Sequence, residues 1–349
     1  MKKILYFMVV LLFLSGCGKY SEDDVIRDFS KNVEKANGYH LTGTLEIYRN
    51  EELYTYDVDS AFQSTDNFKV SLINKTNNHE QIILKNSSGV YVLTPSLNKS
   101  FKFQSEWPFN NSQIYLLQPL IKDIESDSDR TFEKNNDGYI LTVKVKYDND
   151  KHLEKQKIYL DKDLNLVKVE VLDNNGVAQM IFTISEYDLD AKFDDDYFNI
   201  SDNYQNNFSK INNNNDNKNQ DTNDKEQIDS EKNSESTSKI DEIVYPMYVP
   251  VNTYLSNQDN IKTDAGERVI LTFSGDNPFL LVQETANLND KTDFIYGDPY
   301  LVSSTVGAVT DYSVSWIDKG IEYSVVSDNL DVEELISVAE SISTVSVGK

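Results

Sequence analysis

The sequence predicts a mainly β, α+β protein: one strongly curved antiparallel sheet wrapped around covering helices, followed by a smaller α+β domain. Three observations predict it. Period-2 alternation of apolar and polar residues recurs between Tyr39 and Tyr187, broken by Asn, Asp, Ser and Gly clusters. Apolar stripes at helical spacing stand at Val25–Val33, Ile114–Ile124 and Val332–Ile342. Between Phe208 and Ile240 the only apolar residues are Ile211 and Ile228, too few to offset the entropy of ordering that segment. The expected boundaries are a lipoprotein signal peptide over 1–17, a first domain over 18–203, a disordered Asn/Asp-rich linker over 204–241 and a second domain over 242–349.

The first domain opens with a helix. Ser21 and Asp24 have capping-box spacing, Val25, Ile26, Phe29 and Val33 form its stripe, and Asn37-Gly38 stops it. Strands follow at Tyr39–Ile47, Leu53–Phe62, Phe68–Ile73, Gln81–Lys85, Tyr139–Tyr147, Lys155–Leu160, Leu164–Leu172 and Val177–Tyr187. Ser87-Ser88-Gly89, Asn136-Asp137-Gly138, Asp148-Asn149-Asp150 and Asn174-Asn175-Gly176 are the hairpin signals.

Residues 89–124 are the hub. Val90, Val92 and Thr94 alternate with Tyr91 and Leu93. Pro95-Ser96-Leu97-Asn98 supplies turn chemistry, and Phe101 and Phe103 share one face of the next strand. After Trp107-Pro108 the period changes. Ile114, Leu117, Ile121 and Ile124 fit a helical stripe with Asn111 or Ser112 as N-cap, and Pro119 inside it predicts a kink or two short helices. A meander of strands with one helix before it and a helical insertion after the sixth strand fits one strongly curved sheet wrapped around helices.

The strings Val90-Tyr91-Val92-Leu93-Thr94-Pro95, Leu97-Asn98-Lys99-Ser100-Phe101 and Phe103-Gln104-Ser105-Glu106-Trp107-Pro108 resemble the LolA-like, YdcC-type sporulation and germination lipoproteins of Gram-positive spore formers. The resemblance implies a LolA-like half-open barrel whose helices plug an apolar hollow. In that family the hollow holds acyl chains. It also implies a candidate ligand or partner surface at Phe101, Phe103, Trp107, Ile114, Leu117 and Ile121.

In the second domain, Val249 with Val251, Arg268–Phe273, Phe279–Gln283, Ser313–Trp316 and Tyr323–Val326 read as strands. Asp331 caps a helix carrying Val332, Leu335, Ile336, Val338, Ala339 and Ile342. The strings Gly266–Thr272, Leu281–Glu284, Thr305–Asp311, Ser315-Trp316 and Asp331–Ser341 resemble a C-terminal module of the same lipoproteins. As a flexible coil the linker would hold its ends about 30–35 Å apart, so the expectation is a tethered rather than docked second domain.

Lys2 and Lys3 precede an apolar run, Ile4–Leu14, too short to span a bilayer as a mature helix. Leu14-Ser15-Gly16-Cys17 matches a bacterial lipobox, and Cys17 is the single cysteine. The expectation is a diacylglyceryl anchor on Cys17, worth roughly 0.8 kcal/mol per buried methylene, and an extracytoplasmic location on the cell or forespore membrane. The net charge of −25 argues against a nucleic-acid partner and against broad adsorption to anionic lipid.

Chemistry has few candidates. His40, His79 and His152 stand apart from one another, and no second ligand sits at metal spacing. Asp161-Lys162-Asp163-Leu164-Asn165 starts like a calcium loop but carries Leu166 and Leu172 where a glycine and a glutamate are needed; it reads as a hairpin turn. Asp194-Asp195-Asp196 reads as a solvated charge run. No catalytic residue, metal or cofactor is assigned.

The expectation is a membrane-anchored binding protein, an accessory factor in sporulation or germination. Its ligand is an acyl chain or a protein partner. Resemblance to GerS-type germination lipoproteins implies a cortex hydrolase or another envelope protein as that partner. The two-domain layout also resembles the RseB-type regulators, which bind a membrane anti-sigma factor. A cell-wall enzyme is the third reading.

Overall fold

The computed structural model describes residues 20–49, 52–64, 66–97, 99–147, 150–200, 203, 240, 242–263, 266–287, 292–302 and 304–342. The expected signal peptide with Cys17, and nearly all of the expected linker, lie outside the described residues.

Helix α1 (Glu22–Lys35) is followed by β1 (Gly38–Arg49), β2 (Glu52–Gln63), β3 (Asn67–Asn74), β4 (Glu80–Asn86), β5 (Gly89–Thr94) and β6 (Lys99–Gln104). Then come α2 (Leu117–Ser126), β7 (Thr131–Lys134), β8 (Gly138–Lys144), β9 (Leu153–Asp161), β10 (Leu166–Asp173) and β11 (Ala178–Asp188). The second unit holds β12 (Thr253–Thr263), β13 (Gly266–Gly275), β14 (Phe279–Thr285), β15 (Thr292–Tyr296), β16 (Asp298–Val302), β17 (Thr305–Val309), β18 (Ser313–Asp318), β19 (Ile321–Val326) and α3 (Val332–Glu340). The predicted mainly β, α+β class is therefore what the chain adopts.

The larger sheet runs β15-β6-β5-β4-β3-β2-β1-β11-β10-β9-β8-β7, and the smaller β12-β13-β14-β19-β18-β17-β16. The large sheet is open and bends. In a flat sheet β2 and β8 would lie five strand spacings, about 24 Å, apart. Yet the stretch 112–115 reaches both sides. Ser60 Oγ on β2 donates to the Tyr115 carbonyl at 2.8 Å, and Lys146 N, just past β8, donates to Ser112 Oγ at 2.8 Å. Four residues span at most about 14 Å, so the sheet curls. Val25, Phe29 and Val33 of α1 and Leu117, Leu120 and Ile124 of α2 lie in one buried cluster with the inward residues of the strands. The outer face of β4 and β5 is covered by Phe198, with Phe193, Tyr197 and Ile200 packed alongside.

Helix α1 forms as its cap predicts: Ser21 Oγ accepts from Asp24 N, and the Asp24 carboxylate accepts from Ser21 N. Asp331 likewise caps α3 by accepting from Glu334 N at 2.9 Å. The Asp161–Asn165 segment is a hairpin turn, its Asp161 carboxylate accepting from Asp163 N and Asn165 N.

Three expectations need correction. Helix α2 begins at Leu117, with Leu116 as N-cap and no side-chain cap, not at Asn111 or Ser112. Ser112 is instead engaged with the backbone of Lys146 on both its N–H and its hydroxyl. Pro119 then falls in the first turn, where its missing N–H has no intrahelical acceptor to lose, so no kink is needed. The pair Val249 and Val251 lies before the strand, which starts at Thr253.

The second unit is also docked, not merely tethered. Its β15 pairs in parallel with β6, Thr292 opposite Ser100 through Tyr296 opposite Gln104. A polar linker sets how chain ends move; it says nothing about the folded surfaces that those ends carry.

Candidate functional site

The curl of the large sheet encloses a hollow of the kind that the family resemblance implies. Its walls are Leu45, Ile47, Leu72 and Ile83, alternate residues facing one side of β1, β3 and β4. Of the six residues singled out beforehand, Trp107, Ile114 and Leu117 are at most 2% exposed, Phe103 and Ile121 are buried, and Phe101 is half-buried. Trp107 packs edge-on against Phe68. The structure brings these residues into one core rather than onto an open surface.

The hollow is roofed by the second unit. Val306 and Ala308 of β17 belong to the same buried cluster as the walls, and Ile295 and Leu301 pack against it. What remains between wall and roof is a cavity of about 90 Å³, bounded by Leu45, Ile83, Ile114, Tyr147, Tyr300 and Val306 among others. Ligand-sized pockets start at about 300 Å³. Burial holds the hydroxyls of Tyr115, Tyr147 and Tyr300 neutral by raising their pKa values.

Polar contacts hold the roof. Arg49, the last residue of β1, donates Nη1 to the Leu301 carbonyl at 2.8 Å and Nη2 to the Tyr300 hydroxyl at 3.0 Å. The same guanidinium pairs with Glu340 at the end of α3. Burial pushes the Glu340 carboxyl up to about 7 against the opposing pull of Arg49, with Asp150 raising it further. On β4, the buried Gln81 imitates a strand backbone. Its Oε1 accepts from Val306 N, and its Nε2 donates to the Val306 carbonyl at 3.3 Å. At the sheet margin the buried Lys99 pairs with Asp293 and donates to the Asn287 carbonyl at 2.8 Å. Ser105 Oγ donates to Asp298 at 2.5 Å.

Two further depressions open to solvent. A cleft of about 670 Å³ lies between the end of α1 and α2, with Val33, Ala36, Phe62 and Ile121 beside Gln118, Lys122 and Glu125. A polar cleft of about 350 Å³ follows the junction of the units past Arg49, Asp150, His152, Glu333 and Glu340.

Sequence reading did not find Arg49, Gln81, Tyr300 or Glu340. Gln81 carries a faint signal as a polar residue opening the apolar run Ile82-Ile83-Leu84. Arg49 and Glu340 carry none, because their meaning arises only when the two units meet. Among the described residues, no group of three or more His, Cys, Asp or Glu is placed to hold a metal ion. No described helix is long and apolar enough to cross a membrane.

No protein-family model matches the sequence. The chain is 30% identical over 338 residues to a protein named sporulation protein YdcC, from Bacillus subtilis (strain 168), covering 96% of this chain and 94% of the relative. Among solved structures it is similar to the MucA/MucB complex of Pseudomonas aeruginosa, at 13% identity and TM-score 0.32, over 90% of this chain and 97% of that one. It is also similar to a structure of the CwlD amidase of Clostridioides difficile in complex with the GerS lipoprotein, at 19% identity and TM-score 0.29, over 51% of this chain and 99% of that one. A third likeness is to LolA superfamily protein NE2245 of Nitrosomonas europaea, at 11% identity and TM-score 0.28, over 50% of this chain and 98% of that one. Scores near 0.3 carry no functional conclusion from these proteins to this chain.

Proposed function

The chain belongs to the family of the sporulation protein YdcC, and from that premise we propose that it is an extracytoplasmic accessory factor in sporulation or germination. It is anchored through a diacylglyceryl group on Cys17 and acts by binding a partner protein, not by catalysis. The end-to-end match to a protein named for sporulation carries the process. The roofed hollow supports the mode of action. A space of about 90 Å³ is below what an acyl chain or a substrate needs, which leaves outer surfaces for recognition. A cortex hydrolase or another envelope protein is the partner class we favour.

A second reading has its own observation. The cleft between α1 and α2 is about 670 Å³, of ligand size, and Val33, Phe62 and Ile121 give it apolar walls. An acyl chain would fit there.

The test is a strain carrying Cys17→Ala beside a deletion strain and the parent. Both altered strains should form fewer spores, or spores that germinate poorly, while vegetative growth is unchanged. Normal spores from the deletion strain would refute the accessory role.

A further inference from the structure

We propose that the margin of the large sheet at β7 and β8, with the start of α1, is the face that rests on the bilayer, and that the margin at β15 stands off it. This rests on the reading of Cys17 as the anchored residue.

The length of chain before the fold carries the argument. Only Gly18, Lys19, Tyr20 and Ser21 separate Cys17 from Glu22, the first residue of α1. The five Cα–Cα steps from Cys17 to Glu22 reach at most about 18 Å. Whatever surrounds Glu22 is therefore held close to the lipid headgroups.

Its surroundings suit that position. Tyr20 is 40% exposed and lies against Tyr139 of β8, on which Phe132 of β7 stacks. The Lys134 ammonium sits over the Tyr139 ring. Tyr139 is buried and Phe132 half-buried, so the exposed ring of this group is Tyr20, and an exposed tyrosine with a cation close by favours the headgroup level of a bilayer. In a chain of net charge −25, anionic lipid would repel most surfaces. Here several carboxylates are already paired. Glu22 is with Arg130, Asp24 and Asp28 with Arg27, and Asp129 with Lys144. Exposed Asp23, Glu133 and Asp137 remain acidic on this face, so the lipid anchor and not charge must hold it at the membrane.

The other margin is β15, at the far end of the twelve-strand order. There Phe294 and Tyr296 are 79% and 75% exposed. On the proposed orientation these rings are presented to the envelope space beyond the membrane.

Cys17 is the single cysteine, so its acylation leaves no other thiol and an introduced cysteine labels cleanly. The lipidated full chain, purified from membranes, is labelled with a fluorophore at Lys134→Cys or Asp137→Cys, and at Phe294→Cys or Tyr296→Cys. It is then placed in phosphatidylglycerol/phosphatidylethanolamine vesicles containing a headgroup-depth spin-labelled lipid. We expect loss of emission from the labels at 134 and 137 and none from those at 294 and 296. Equal loss at all four positions, or loss at 294 and 296 alone, overturns the orientation. Intact mass is measured on the same samples. A mature chain without the diacylglyceryl mass on Cys17 removes the anchor and the orientation with it, whereas the correct mass with the wrong quenching pattern removes the orientation only.

Discussion

Arg49 and Glu340, their side chains 15% and 8% exposed, meet as a largely buried ion pair although 291 positions separate them, one at the tip of the first hairpin and one at the end of the last helix. The same guanidinium holds the Leu301 carbonyl and the Tyr300 hydroxyl, so one side chain pins the roof of the hollow at three points. Removing one member of a buried pair typically costs about 3–5 kcal/mol, less where the carboxyl left behind takes up a proton. Arg49→Met should therefore destabilise the chain by about 3 kcal/mol. Arg49→Met combined with Glu340→Leu should recover part of that loss. Denaturant titration of the two variants checks both statements.

Stability should fall as pH rises from about 4.5 to 7. Burial pushes the carboxyl of Glu340 up to about 7 and that of Asp123 up to about 6. In that window the folded chain keeps protons that the unfolded chain has released, so raising pH favours unfolding. Asp24, held near 2 by its bonds to Ser21 and Arg27, works in the opposite sense but only below about pH 4. Melting temperatures at pH 5 and pH 7.5 should differ more in the parent than in Glu340→Gln or Asp123→Asn. An unchanged difference in both variants would assign the slope to other groups.

At Gly307 an added Cβ would come within 2.5 Å of the Ser315 carbonyl oxygen and 2.9 Å of Trp316 Cβ. Both neighbours belong to β18, which packs beneath α3, so neither can withdraw easily. Gly307→Ala should cost about 1–3 kcal/mol. Loss of tryptophan near-ultraviolet ellipticity at Trp316 is the accompanying signal to measure.

Core and surface should separate sharply. Leu120→Ala, at a position with no exposure, should cost about 2–5 kcal/mol. Phe294→Ala, at 79% exposure, should stay within about 0.5 kcal/mol of the parent. Urea midpoints compared on one preparation decide this.

Much of the fold was legible because the physics was local. Ser21 and Asp331 announced their helices through capping chemistry, β1 showed the alternation of a strand with one buried face, and the apolar runs of β4 and β5 marked strands buried on both faces. Strand β12 was not legible. Tyr254–Lys262 is exposed along its whole length, so no face is selected for apolar residues and no alternation appears. Strand β15 has only five residues and owes its existence to β6, almost two hundred positions earlier. Pro119 misled because a proline inside a stripe does not reveal whether the helix has just begun. The six candidate residues lie in or against one buried cluster, but pattern alone could not reveal that Leu301 and Val306 would join it.

The most direct measurement is native mass spectrometry of residues 18–349. The account predicts the mass of the chain alone, because the roofed hollow holds too little space for an acyl chain. A co-purifying lipid that persists when Ile121→Trp fills the cleft between α1 and α2 would place it under the roof, and would contradict the closed hollow on which recognition by outer surfaces depends.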